Sequence, residues 1–125
     1  MLHLSMAKRI VKPKPWGDGE YTDAAFWGFI RSTLRRKSMH WKPIRNAKLK
    51  ARRKYVGPNK RAKWEYECAE CRGWFMDKDV EVDHIHECGS LTRETAGEFI
   101  ARLFCGSEGL RVVCKTCHNK KTHKK

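Results

Sequence analysis

An aspartate beside a histidine, Asp83 and His84, closes the alternating apolar run Val80 to Val82, and a second histidine, His118, follows directly on the pair Cys114 and Cys117. A carboxylate and an imidazole together can hold a divalent cation, and a further imidazole can take a proton from water. These are the residue types of a one-metal hydrolytic site. Cys68 and Cys71 form a second Cys-x-x-Cys pair. Two such pairs match tetrahedral zinc, because the two-residue spacer lets both sulfurs of a pair reach one ion at about 2.3 Å. A four-sulfur site has no open coordination position, so this zinc is expected to be structural. In a chain with a small core it would supply much of the folding free energy.

The two pairs lie further apart than the roughly 15–20 residues of a simple zinc ribbon. The interval from Cys71 to Cys114 contains the Asp83-His84 strand and a predicted helix, so zinc would clamp the ends of an insert that carries the polar residues. Antiparallel pairing of the strand over 80–85 with that over 110–113 would then bring Asp83, His84 and His118 together. Neighbouring side chains on a regular strand point to opposite faces. Asp83 and His84 are therefore expected to share a site only through an end or a kink in the strand, and a distortion is predicted there.

Three segments are expected to position these residues: a flexible basic arm over 1–20, a helical basic DNA-contacting region over 21–63, and the zinc-bearing core over 64–125. Pro13, Pro15, Gly17 and Gly19 make the arm irregular, with Trp16 free to tuck back, and Met6-Ala7-Lys8-Arg9 reads as a translation start as well as Met1 does. With Thr22 as N-cap, a helix over 23–40 carries Phe26, Ile30 and Leu34 as its apolar stripe. Trp41-Lys42-Pro43 breaks it, and a second helix runs over 44–55. A strand over 64–68 enters the first cysteine turn, and a return strand leaves it over 74–76. A helix from 92 or 93 to 104 buries Ala96, Phe99, Ile100 and Leu103. The last helix starts at His118.

The chain of 125 residues carries a formal net charge of +14, which points to a polyanion as partner through release of condensed counterions. The positive charge is clustered. Arg45, Lys48, Arg52, Arg53, Lys60, Arg61 and Lys63 form a run with no acid before Glu65, and Lys120 and Lys121 stand on the last helix. These nine are the candidate DNA-binding residues; Lys121 and Thr122 share the helical face of His118 and could reach a phosphate. No apolar run approaches the ~18 residues needed to cross a bilayer, and the expected location is the cytoplasm. In that reducing setting Cys88 and Cys105 are expected to remain thiols.

Val82-Asp83-His84-Ile85, the two cysteine pairs, and the run Leu110 to Thr122 together resemble the HNH endonucleases, specifically the small zinc-bearing type of bacteriophages. The resemblance covers roughly residues 64–122 and extends to Tyr21-Thr22-Asp23-Ala24-Ala25 and Tyr55-Val56-Gly57-Pro58. It implies an α+β fold with a ββα-metal core and hydrolysis of DNA to 5′-phosphate and 3′-hydroxyl ends. By the same resemblance, Asp83 and His118 would hold the catalytic divalent cation, which could be Mg2+, Mn2+, Ni2+ or Zn2+, and His84 would be the general base. It further implies phage terminase or packaging proteins as candidate partners, in the host cytoplasm; since one active site cuts one strand, a double break would need a transient homodimer or two encounters. One position departs from the pattern: where the family's middle residue braces the loop between the strands, this chain has Gly109, so the loop must be held in another way. His86 is a lesser candidate for metal or substrate contact. The competing readings are a non-catalytic zinc module that binds DNA as an accessory and, less favoured, an RNA-directed protein.

Overall fold

The computed structural model describes residues 11–123, with side chains as far as Lys121. The Met6 start and the side chain of Thr122 lie outside that range. The elements follow in the order α1 (Asp23–Ser38), α2 (Lys42–Ala51), β1 (Arg52–Lys54), β2 (Trp64–Glu67), β3 (Trp74–Phe75), β4 (Val80–His84), α3 (Ala96–Leu103), β5 (Leu110–Cys114) and α4 (Lys115–His123). Among the described residues no helix is long and apolar enough to cross a membrane.

The Thr22 hydroxyl caps α1 by accepting the Ala25 N–H at 3.1 Å, an arrangement worth about 1 kcal/mol. The arm folds back onto this end of the helix. Trp16 stacks on Phe26 with ring centroids 3.8 Å apart and donates its indole N–H to Asp23 at 3.0 Å. Trp27, Ile30 and Leu34 pack on Phe99, Leu103, Leu91 and Cys88, which form one of two apolar clusters. Helix α3 is shorter than expected, since Thr92 and Thr95 bond to each other through side chains and hold 92–95 as a turn. Ile100, expected in its buried face, is 44% exposed.

Helix α2 begins two residues earlier than expected, with Pro43 in its first turn, where a missing N–H costs nothing. It ends at Ala51 rather than Tyr55. Arg52–Lys54 is a strand because Trp64–Glu67 offers an antiparallel partner, in the register Arg52↔Tyr66 and Lys54↔Trp64. A lysine-rich helix gains little from its own surface, so tertiary pairing outweighs local propensity here. β3 completes this sheet beyond β2. The turn joining β2 to β3 is the first cysteine pair. It is closed by Cys68 N–H to Gly73 O and Arg72 N–H to Cys68 O, both at 2.9 Å, with Arg72 in the left-handed region at φ 64°.

β4 and β5 pair antiparallel in the register Val80↔Cys114, Val82↔Val112, Asp83↔Arg111 and His84↔Leu110. Alternation directs Glu81, Asp83 and Arg111 to one face, and α4 lies across it, touching Glu81 through His118 and Asp83 through Lys121. Val80, Leu110 and Val112, all buried, point to the other face, and α2 packs on this strand pair. Two strands followed by a crossing helix make a ββα unit within a mixed α+β fold.

Candidate functional site

The four pair cysteines form a group whose sulfurs all lie within 4.8 Å of one another; among the described residues they are the group that gathers three or more such ligand atoms so closely. Cys68 comes from the β2–β3 turn, and Cys114 and Cys117 come from the end of β5 and the first turn of α4. That helix starts at Lys115, three residues before the expected point, so Cys117 lies within its first turn and Cys114 directly precedes it. Cys68 is fully buried, and its sulfur accepts the N–H groups of Glu70 at 3.4 Å and Cys71 at 3.5 Å. Cys117 N–H donates to the Cys114 sulfur at 3.4 Å.

Burial alone would push the Cys68 thiol up, but the N–H donors of Cys114, Cys71 and Glu70, together with the Cys71 side chain, outweigh it and bring the pKa down to about 6. Hydrogen bonding to Cys114, then burial and the other two sulfurs, pushes Cys117 up to about 12. Four sulfurs this close cannot all ionise unaided. A cation at their centre resolves the conflict, and the donor set is one that can hold a metal ion.

On the α4 face of the strand pair, Asp83 is held by Lys121, whose Nζ lies 2.7 Å from Oδ2 and 3.3 Å from the His84 carbonyl. Arg111, opposite it on β5, stands 3.6 Å from the same oxygen, beyond hydrogen-bond range. Its Nε–H is buried without an acceptor. One turn back from Lys121, His118 Nδ1 lies 3.3 Å from Glu81 Oε2. Glu81 and Arg111 are additions to the site that the sequence reading did not single out. The available signal was register: Glu81 is two residues before Asp83, and Arg111 is its cross-strand partner.

His84 takes the other side. Its Nε2 lies 3.0 Å from the Leu103 carbonyl oxygen. A carbonyl only accepts, so Nε2 carries the proton and the neutral ring keeps Nδ1 as its acceptor. Of the end or kink expected at Asp83-His84, the strand shows the end and no kink. Pairing is regular through His84↔Leu110, and Ile85 N–H adds a bond to Gly109 O at 2.9 Å. The strand ends at His84, with the carboxylate on one face and the imidazole on the other. His86, two residues on, is exposed and lines a small apolar hollow with Ala101, Arg102 and Cys105.

The loop between β4 and β5 is braced without a side chain at position 109. Arg102 donates to Glu87 O at 3.1 Å, Thr95 donates to Ser90 O at 2.6 Å, and α3 is locked down by the burial of Phe99 and Leu103. Gly109 is needed where it stands, since a Cβ there would sit 2.8 Å from the Cys105 sulfur. Gly109→Ala is expected to lower stability by about 1–2 kcal/mol through overpacking. Thermal melting checks this, and adding Cys105→Ala should recover part of the loss.

The basic candidates divide by their partners. Arg52 stacks on Trp64 at 3.7 Å and Arg53 on Trp74 at 3.8 Å, and Arg53 also donates to Glu65 at 2.6 Å. Lys48 pairs with Asp77, and Lys121 pairs with Asp83. Arg45, Lys60, Arg61, Lys63 and Lys120 are exposed.

For a second cation, the face carrying Asp83, His118 and Glu81 offers two carboxylates and an imidazole, a donor set suited to Mg2+, Mn2+, Ni2+ or Zn2+. The position on Asp83 Oδ2 is already cationic, filled by the Lys121 ammonium. The donor types suit a metal, but these ligand atoms are not gathered within 4.8 Å of one another as the cysteine sulfurs are, and the lysine must give way before a metal ion can take its place.

Fold and site together define a mixed α+β protein whose ββα unit is tied at its β5–α4 junction to the β2–β3 turn by a four-cysteine cluster able to hold a metal ion. A relative described as a probable HNH endonuclease, from Lactococcus phage SK1, is 44% identical over 55 residues. The match takes in 44% of this chain and 52% of the relative, so the chain spans about half the length of the protein it matches. No protein-family model matches the chain, and no solved structure does.

Proposed function

We propose that this protein is a metal-dependent DNA endonuclease of phage origin, acting in DNA processing or packaging, with zinc in its four-cysteine site. The observation that carries the reading is the end of β4. There a carboxylate and an oriented imidazole leave the strand at adjacent positions on opposite faces, and on this reading a phosphate must straddle that end to engage both. His84, with Nε2 committed to the Leu103 carbonyl, presents Nδ1 to take a proton from the attacking water. Asp83 and His118 would hold the catalytic cation. When bound, that cation neutralises charge on the phosphate and on the departing 3′ oxygen, leaving 5′-phosphate and 3′-hydroxyl ends.

The exposed Arg45, Lys60, Arg61, Lys63 and Lys120 contact the duplex backbone without reading sequence. Arg52 and Arg53, held flat on Trp64 and Trp74, meet phosphates with less ordering cost than free side chains.

Supercoiled plasmid incubated with the protein and Mg2+ or Mn2+ should be nicked or linearised, and EDTA should stop the reaction. Asp83→Ala should abolish cutting while keeping zinc. Retarded mobility with no cleavage under any divalent ion would leave the accessory DNA-binding module as the correct reading.

A further inference from the structure

We infer that Lys121 is a resident cation at the Asp83 site, holding the carboxylate until a DNA phosphate draws the ammonium away, so that catalytic metal and duplex bind cooperatively. This rests on the reading of Asp83 as a ligand of the catalytic cation. The Lys121 ammonium lies 2.7 Å from Asp83 Oδ2 and 3.3 Å from the His84 carbonyl, two oxygens of the kind that hard divalent ions prefer. An ammonium and a divalent ion cannot share that oxygen, because like charges that close repel strongly in a partly buried setting.

The Asp83 side chain is only 15% exposed, so it needs a positive partner in every state of the protein. Its two neighbours differ in freedom. Arg111 is tied to Glu70 at 3.1 Å and is rooted in β5. Lys121 is 36% exposed and sits near the end of α4 on a flexible four-carbon stem. The lysine is thus the displaceable partner. A phosphate arriving at the end of β4 gives the ammonium a charged acceptor within a side chain's swing, and the vacated carboxylate then takes the divalent ion. Linkage requires the converse: the metal must tighten duplex binding by the same factor by which the duplex tightens metal binding.

The test uses the full chain loaded with zinc and carrying His84→Ala, so that duplex is not consumed. Mn2+ is titrated by electron paramagnetic resonance with and without a short duplex. Lys121→Met should bind Mn2+ about tenfold more tightly than its parent in the absence of duplex, since it removes a unit charge beside the ion, and the gain on adding duplex should shrink. Lys121→Gln should behave the same way, while Lys37→Met, with the same change in net charge at an exposed position on α1 outside the proposed duplex contacts, should behave like the parent. Equal Mn2+ affinity in the Lys121 and Lys37 variants, or an undiminished duplex effect, would overturn the proposal. Asp83→Ala separates this from the underlying reading: if it binds Mn2+ as well as the parent does, Asp83 is not a ligand, whatever the lysine does.

Discussion

His84→Ala should reduce DNA cleavage by about 10²- to 10⁴-fold, the range that a positioned general base contributes, with duplex affinity little changed. The ring is placed by one hydrogen bond, from Nε2 to the Leu103 carbonyl at 3.0 Å, and by the end of β4 pairing at His84↔Leu110. Neither contact involves the basic surface, so binding measured by mobility shift should survive. Loss of the ring leaves a carbonyl without its donor, at about 1–3 kcal/mol if water does not replace it. Melting temperature must therefore be recorded beside rate. A lowered Tm with unchanged single-turnover cleavage would show that His84 is a structural histidine and would remove it as the base.

Cys68→Ser should abolish the fold rather than only the activity. Its sulfur is fully buried and accepts two backbone N–H groups. It also joins the β2–β3 turn to Cys114 and Cys117 at the start of α4. Structural zinc in small domains contributes about 10–16 kcal/mol, as much as the ~5–15 kcal/mol net stability of a whole domain. A hydroxyl at this position cannot replace the thiolate. Metal analysis should find the bound zinc gone, and circular dichroism should find helix lost across the chain. Asp83→Ala provides the contrast, because it should retain zinc and helix while losing cleavage. If Cys68→Ser kept a cooperative melt and its metal, the four-cysteine cluster would not be what holds the ββα unit together.

Local chemistry made a good part of this molecule legible from the sequence. The cysteine spacing identified the group that the fold gathers within 4.8 Å, because a two-residue spacer places two sulfurs on one ion whatever surrounds them. The Thr22 cap and the stripe of Ile30 and Leu34 marked α1, since capping and helical period act within a few residues. Alternation over 80–84 marked β4 for the same reason.

Only the tertiary structure decided the features that depend on a distant partner. Arg52–Lys54 is a strand because Trp64–Glu67 lies beside it, and no local preference of three basic residues could announce that. His84 turned to Leu103, and Asp83 to Lys121 and Arg111, because those atoms arrive from α3, α4 and β5. Gly109, without a side chain of its own, leaves the loop brace to Arg102 and Thr95. Spacing along the chain determines which groups can meet one ion or one helix face; which partner each polar group finds depends on the packing of remote elements, because short-range pattern carries no information about what lies across the fold.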